Sequence, residues 1–468
     1  MFKLQIKYLS FFFGIVSILS FFNILYSYYF NLYLNLDTYY FTLLASSILF
    51  ITFFKFGKYD IKSNIFQRIL TIFLGYLLIP LVLSIPFYFS IYNLTFSNSF
   101  FETISGFTST GFTVFENIKL IDQSLIIWRS STQWIGGLYF LFSIIYLIDI
   151  YDDSFKKTLT NFISFNSSEI LKQAAKIFIL YSSLTILIFI VLNIFSIRSF
   201  DSLNLSLTII SSGGFLPVNE LSTIIKENAQ IIIFSLLMLF SFFSLFFSYN
   251  LIFLRKKNVN FFYEDLHLFV YLIIVTTIFF LFFSFNYDFF INLFAIISSM
   301  TNIGFSLSSG QENLHFIFLI LVIIGGSFFS TSSGLRFIKI YSLFKFSLNQ
   351  ILSFSRPKNV FMNKLIFTKI NFNLDEINKY FLTIIIFILS LFILTSLLSL
   401  SGITFVNSFK LAILTLMNTV NSSIYGLKEF DFYNLQLFSK YCLIFFMIVG
   451  RIELLTILLL IKKFLFKN

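Results

Sequence analysis

Four short runs of Ser, Thr, Asn and Gly interrupt an otherwise apolar chain: Thr108-Ser109-Thr110-Gly111, Ser211-Ser212-Gly213-Gly214, Thr301-Asn302-Ile303-Gly304 and Asn421-Ser422-Ser423-Ile424. The surrounding apolar runs reach about twenty residues, enough to cross a bilayer. Backbone that is not helical survives at membrane depth only where it is buried in protein or lines water. Four breaks, one per repeat, are therefore expected to meet around one axis, where backbone carbonyls can replace the hydration shell of a cation. The pattern is that of a pore.

Composition agrees with a membrane protein. Of 468 residues, 58% are apolar and 11% charged, whereas soluble domains carry roughly a quarter charged residues. The expected fold is an all-α polytopic membrane protein of about ten transmembrane helices, near 8–31, 38–55, 66–93, 125–149, 174–197, 229–254, 266–287, 313–346, 378–400 and 433–465. Four apolar segments are too short to span, near 98–107, 201–210, 288–299 and 406–418, and each leads into a polar break. The organisation is thus an N-terminal helix pair (1–60) followed by four helix–half-helix–loop–helix repeats at 61–155, 156–258, 259–350 and 351–468. The first apolar run is too long for a signal peptide and lacks a small-residue cleavage site, so it reads as a retained helix.

The net charge of +11 raises the question of nucleic acid, but the charges lie in short loops between spans. Placing the N-terminus inside puts 24 of the 32 Lys and Arg on the cytoplasmic side and seven on the other, which the positive-inside rule favours. Both termini are then cytoplasmic. No nucleic-acid partner is expected, and the lipid bilayer is the evident one. An enzyme is not expected either, because the two His (His267, His315) lie near span ends, the acids lie mostly in loops and Cys442 is the single cysteine. The 74 Phe fit A/T-rich codon usage and carry no argument for an aromatic site.

Each short segment, if helical, aims its partially negative C-terminus at the middle of the membrane, where a cation would pause. The small-residue stretch Gly325–Gly334 interrupts the eighth span, and on its own reads either as a packing kink or as a gate that borders water. Arg451 lies inside the last span, where a charge must face water or a partner: an ion pair with another helix, or a cavity charge. Glu453 is badly placed to pair with it on one helix. Glu102, near the start of the first short helix, reads as a capping acid.

Four stretches, in order and spacing, resemble the Trk/Ktr/HKT potassium transporter superfamily, most closely its TrkH-type membrane subunit. They are Phe101–Gly111 (FETISGFTSTG), Trp128–Gly137 (WRSSTQWIGG), Gly325–Gly334 (GGSFFSTSSG) and Gly450–Glu453 (GRIE). The resemblance implies potassium uptake across the bacterial inner membrane through a fourfold pseudosymmetric pore, with potassium as substrate and no bound cofactor. It maps the filter onto Thr108–Gly111, Ser211–Gly214 and Thr301–Gly304. In the fourth repeat a gapless match sets Ile424 where the family has glycine, after Asn421, Ser422 and Ser423, which leaves sodium permeation or ion-coupled symport open. It further implies a gate loop acting through Gly325, Gly326, Ser330, Ser332 and Gly334, and Arg451 in the cavity near the filter. A homodimer and a cytosolic nucleotide-binding partner of the TrkA/KtrA kind complete the implied assembly.

Overall fold

The computed structural model describes residues 6–57, 64–147, 170–252, 263–283, 288–308, 314–354, 374–427 and 430–452. Helices α1 (Lys7–Tyr29) and α2 (Leu36–Phe56) form the N-terminal pair. The first repeat has α3 (Ile65–Leu83), the short α4 (Ile85–Tyr88), α5 (Phe96–Phe107) and α6 (Gln123–Tyr146). The second has α7 (Ile170–Ile194), α8 (Ser199–Ile210), α9 (Asn228–Phe242) and α10 (Leu245–Ile252). The third has α11 (Tyr263–Phe283), α12 (Phe289–Met300), α13 (His315–Ile323) and α14 (Phe337–Ser353). The fourth has α15 (Leu374–Leu400), α16 (Phe405–Leu416) and α17 (Leu437–Ile452). Helix thus dominates, as expected; the one described sheet pairs β1 (Ile324–Gly325) in parallel with β2 (Leu335–Arg336).

The short helices α5, α8, α12 and α16 are each 12 residues long. At 1.5 Å per residue they extend about 18 Å, little more than half the hydrocarbon core. Six described helices are long and apolar enough to cross a membrane: α1, α2, α3 with α4, and most of α7, α11 and α15. Helix α6 is not among them because it is polar, carrying Arg129, Ser130, Ser131, Thr132 and Gln133. Every residue from Ser124 to Tyr146 is buried within the protein. An interior helix is screened from lipid by its neighbours, so it can carry the polar groups that the loops require.

Packing follows from that arrangement. Helix α1 lays Tyr8 and Phe12 against α6, with Tyr8–Tyr146 and Phe12–Tyr139 ring centroids 4.8 Å apart. Tyr139 and Trp128 donate to carbonyls of α3, Ile72 at 3.0 Å and Leu83 at 3.0 Å, so their polar tips are satisfied inside an apolar body. Outward-facing Phe41, Leu44, Ile48 and Ile51 on α2 are exposed, as a lipid-facing stripe must be.

Two expected spans are broken. The sixth stops at Phe242 and restarts at Leu245, and the eighth opens between β1 and β2. The breaks answer one another: Ser327 N–H donates to Phe242 O at 3.0 Å, Ser332 N–H to Ser241 O at 3.0 Å and Leu245 N–H to Phe329 O at 2.9 Å. The third span, expected over 66–93, is interrupted at Ser84 between α3 and α4 and ends at Tyr88.

Gly136 on α6 and Gly450 on α17 admit the last carbonyls of α5 and α16. A Cβ would lie 1.9 Å from Phe107 O at Gly136 and 2.3 Å from Leu416 O at Gly450. Gly136→Ala should therefore cost about 1–3 kcal/mol by overpacking, read as a lower thermal midpoint in detergent. Ile48→Ala on the lipid face should leave that midpoint unchanged.

Candidate functional site

Each short helix ends in the same backbone turn. The residue after the cap takes the left-handed conformation: Ser109 (φ 58°), Ser212 (φ 55°), Asn302 (φ 60°) and Asn418 (φ 46°). Its N–H reaches back to the third residue before it, Gly106, Ile209, Ser299 and Thr415 respectively, at 2.8–3.3 Å. In three loops the next N–H closes the wider bond, Thr110 to Ser105 O at 2.8 Å, Gly213 to Thr208 O at 2.8 Å and Thr419 to Leu414 O at 2.9 Å. These are Schellman ends, which satisfy carbonyls that a terminating helix leaves orphaned.

Glycine is the usual residue at a left-handed helix end, yet Ser or Asn stands at all four. Their side chains supply the reason. Ser212 Oγ donates to Thr301 O at 2.7 Å, joining the second loop to the third. Asn302 Nδ2 reaches Thr419 Oγ1 at 3.4 Å, and Asn418 Nδ2 donates to Thr110 Oγ1 at 3.0 Å, joining third to fourth and fourth to first. Arg451 bridges first and second, donating from Nη2 to Ser109 Oγ at 3.2 Å and Ser211 O at 3.4 Å. The four loops form a closed ring.

This geometry corrects the expectation for the fourth repeat. Counting from its own helix end, the loop is Met417-Asn418-Thr419-Val420, four residues before Asn421–Ile424. Val420, not Ile424, stands level with Gly111, Gly214 and Gly304. Ile424 is buried in a 3-10 turn, Ser423–Tyr425, followed by left-handed Gly426 (φ 69°). The missed signal was Asn418, which matches Asn302 and falls at the end of the expected short segment.

On the far side of the ring the chains diverge around a cavity of about 570 Å³, lined from all four repeats and floored by Gly111, Gly214, Gly304 and Val420. Glu116, Glu220 and Asp431 contribute carboxylates to its wall. Asn421, Ser422 and Ser423 line this cavity as well.

Glu102 does not cap α5; Thr95 does, accepting from Asn98 N–H at 3.4 Å. Glu102 is fully buried in mid-helix. Its carboxylate accepts from Arg129 Nε at 2.9 Å, Thr113 Oγ1 at 3.0 Å and Val114 N–H at 2.8 Å. The Arg129 guanidinium lies 4.3 Å from the Phe215 ring centroid and donates to Leu216 O at 3.4 Å. One buried ion pair thus holds the chain leaving the first loop against the chain leaving the second.

The opposite side of the ring meets the Gly325–Gly334 stretch. Pairing of β1 with β2 brings its ends together, and a Cβ on Gly325 would lie 1.9 Å from Ser333 O, so only glycine fits there. Arg336 gathers the loop from within, with Nη1 donating to Ser327 O at 3.0 Å, Ser332 O at 2.9 Å and Ser330 Oγ at 3.2 Å. Gly326 N–H donates to Ser332 Oγ at 3.2 Å, and left-handed Gly334 (φ 79°) closes the turn. The loop touches the ring and its Arg451 bridge at three points: Thr331 Oγ1 donates to Ile210 O at 2.7 Å, Ser332 Oγ donates to Asn302 Oδ1 at 2.7 Å, and Ser333 Oγ accepts from Arg451 Nη1. Sequence reasoning missed two adjacent carboxylates that hold the paired breaks: Glu264 accepts from Phe328 N–H of the loop at 2.8 Å, and Asp265 from Ser244 N–H between α9 and α10 at 2.8 Å.

Arg451 is buried under the ring, its guanidinium 4.2 Å from the Phe140 ring centroid. Its hydrogen-bond acceptors are hydroxyls and a carbonyl. Glu453 lies outside the described residues.

Breaking a buried ion pair by removing one partner costs about 3–5 kcal/mol. Glu102→Ala should lower stability by that much, read as a lower thermal midpoint in detergent, and Arg129→Ala combined with Glu102→Ala should recover part of the loss.

Comparison with known proteins places this geometry. No family model matches the chain. It is 25% identical to an uncharacterized cation transporter of Methanocaldococcus jannaschii, over 84% of this chain and 82% of that one. It is 24% identical to Trk system potassium uptake protein TrkH of Halomonas elongata, over 78% of each, and 24% identical to TrkH of Escherichia coli K12, over 86% of each. The crystal structure of the potassium transporter TrkH from Vibrio parahaemolyticus superposes with a TM-score of 0.82 at 19% identity, over 98% of each chain. These relatives are named as transporters and uptake proteins, not enzymes. Along most of its length the chain is thus similar in sequence to proteins named Trk system potassium uptake protein TrkH, and it shares the fold of the potassium transporter TrkH.

Proposed function

We propose that this protein takes up potassium across the cytoplasmic membrane through the ring of four loops. The observation that carries the reading is the ring itself: four 12-residue helices end at it, with a cavity on one side and a polar loop across the other. The repeats 61–155, 156–258, 259–350 and 351–468 then each contribute one quarter. Potassium would bind between Thr108–Gly111, Ser211–Gly214, Thr301–Gly304 and Met417–Val420, exchanging its hydration for carbonyl and hydroxyl oxygens. The four helix C-termini add partial negative charge. Carboxylates in the cavity wall concentrate cations at the entrance. The inside-negative potential supplies about 2.3 kcal/mol per charge per 100 mV.

Gly325–Gly334 acts as the gate, because it covers the helix-end side of the ring and is held there by hydrogen bonds that can exchange with water. Arg451 puts a fixed positive charge beside the path and ties the gate to the ring. A homodimer and a cytosolic nucleotide-binding ring of the TrkA/KtrA kind are the assembly that the family likeness supports, with both termini on the cytoplasmic side. A sodium-permeable variant of the same machine is the second reading, favoured by Val420 in a position otherwise held by glycine.

The test is growth of a potassium-uptake-deficient bacterium at low potassium, with a matching cytosolic partner coexpressed. Wild type should rescue growth. Gly111→Ala should abolish rescue at unchanged membrane abundance, since Gly111 has φ 85° and its Cβ would lie 2.7 Å from Gly214 Cα. Sodium-dependent toxicity without rescue would select the second reading, and no response to either ion would overturn both. Arg451→Ala should raise potassium flux in vesicles about tenfold, equivalent to about 1.4 kcal/mol of barrier.

A further inference from the structure

At the cavity floor the ring consists of Gly111, Gly214, Gly304 and Val420. Three quarters of that layer carry no side chain; the fourth carries an isopropyl group. The cross-links run second to third, third to fourth and fourth to first, so the second and fourth loops face each other across the axis. A Cβ on Gly214 would lie 2.3 Å from Val420 Cβ and one on Gly304 3.0 Å from Val420 Cγ1. The valine side chain therefore reaches across the axis toward the opposite loop instead of turning away from it. It is 8% exposed, the small remainder facing the cavity. A β-branched side chain has one strongly preferred χ1 well in a packed setting and swings aside less readily than an unbranched one.

We propose that Val420 is the size-limiting residue of the cation path: its isopropyl group, standing where the other loops have glycine, sets the largest alkali cation that passes the cavity floor. The proposal rests on the filter reading above and adds a specificity determinant to it. It also accounts for Gly214, whose missing side chain is the space that Val420 occupies. Gly214 does not have a left-handed φ, and the three atoms nearest to an added Cβ there all belong to the Val420 side chain.

The test uses purified full-length protein in lipid vesicles, with potassium, rubidium and caesium flux measured separately. Val420→Gly should raise the caesium-to-potassium flux ratio about tenfold, with Val420→Ala intermediate. Gly214→Ala should block flux, and Gly214→Ala with Val420→Gly should restore it, because the methyl group then enters the vacated space. Ratios unchanged in both Val420 variants, each monodisperse and flux-competent, would overturn the proposal. So would a double variant as inactive as Gly214→Ala alone, with Val420→Gly active. Wild-type flux that survives Gly111→Ala would instead remove the filter reading beneath it.

Discussion

The structure depends on satisfying non-helical backbone inside a membrane. Four helices stop halfway, and each stop would leave carbonyls without partners in a medium that offers none. The left-handed turn after each helix returns two N–H groups to those carbonyls, and it places a Ser or Asn side chain where it reaches the next loop or, at Ser109, the Arg451 that bridges to it. One local conformation thus closes both accounts: the helix end and the lateral seam. Asn is among the non-glycine residues that best tolerate that conformation, and the two serines accept its strain because Ser212 Oγ and Ser109 Oγ have partners that glycine could not supply.

The interior helix α6 is the second condition. Polar side chains at Arg129, Gln133 and Ser130 would be costly against lipid. Inside the protein they meet Glu102, Phe215 N–H and Asn204 Oδ1. The lipid-facing duty is delegated to α2, α11 and α15, whose apolar windows are 17%, 17% and 33% buried. A division of labour between helices that face lipid and helices that face the loops is what permits a polar centre in so apolar a chain.

Much of this was legible in the sequence. The short helices appear as apolar runs too brief to span, and the first three loops end in Gly-Phe pairs that mark their register. The fourth was misread because its register marker is absent: Val420-Asn421 replaces Gly-Phe, and the nearest glycine, Gly426, belongs to a later turn. Glu102 was misread because its partner, Arg129, is distant in sequence and only packing brings the pair together. The break at Phe243–Ser244 had no local signal at all. It exists because the segment between Gly325 and Gly334 needs backbone partners, and two stretches far apart in the chain interrupt each other.

Arg451 carries a consequence for how the molecule can move. Its guanidinium is the described side-chain bridge between the first and second loops, and the same group holds Ser333 in the segment beneath them. The segment also reaches Asn302, which joins the third loop to the fourth, so a displacement of it would be felt at two seams of the ring, first-to-second and third-to-fourth. Two side chains, Arg451 and Asn302, each hold a seam of the ring and a hydroxyl of the segment beneath it. If the ring holds a cation and the segment gates it as proposed, selectivity and opening would share these two side chains, and loosening the segment would disturb both.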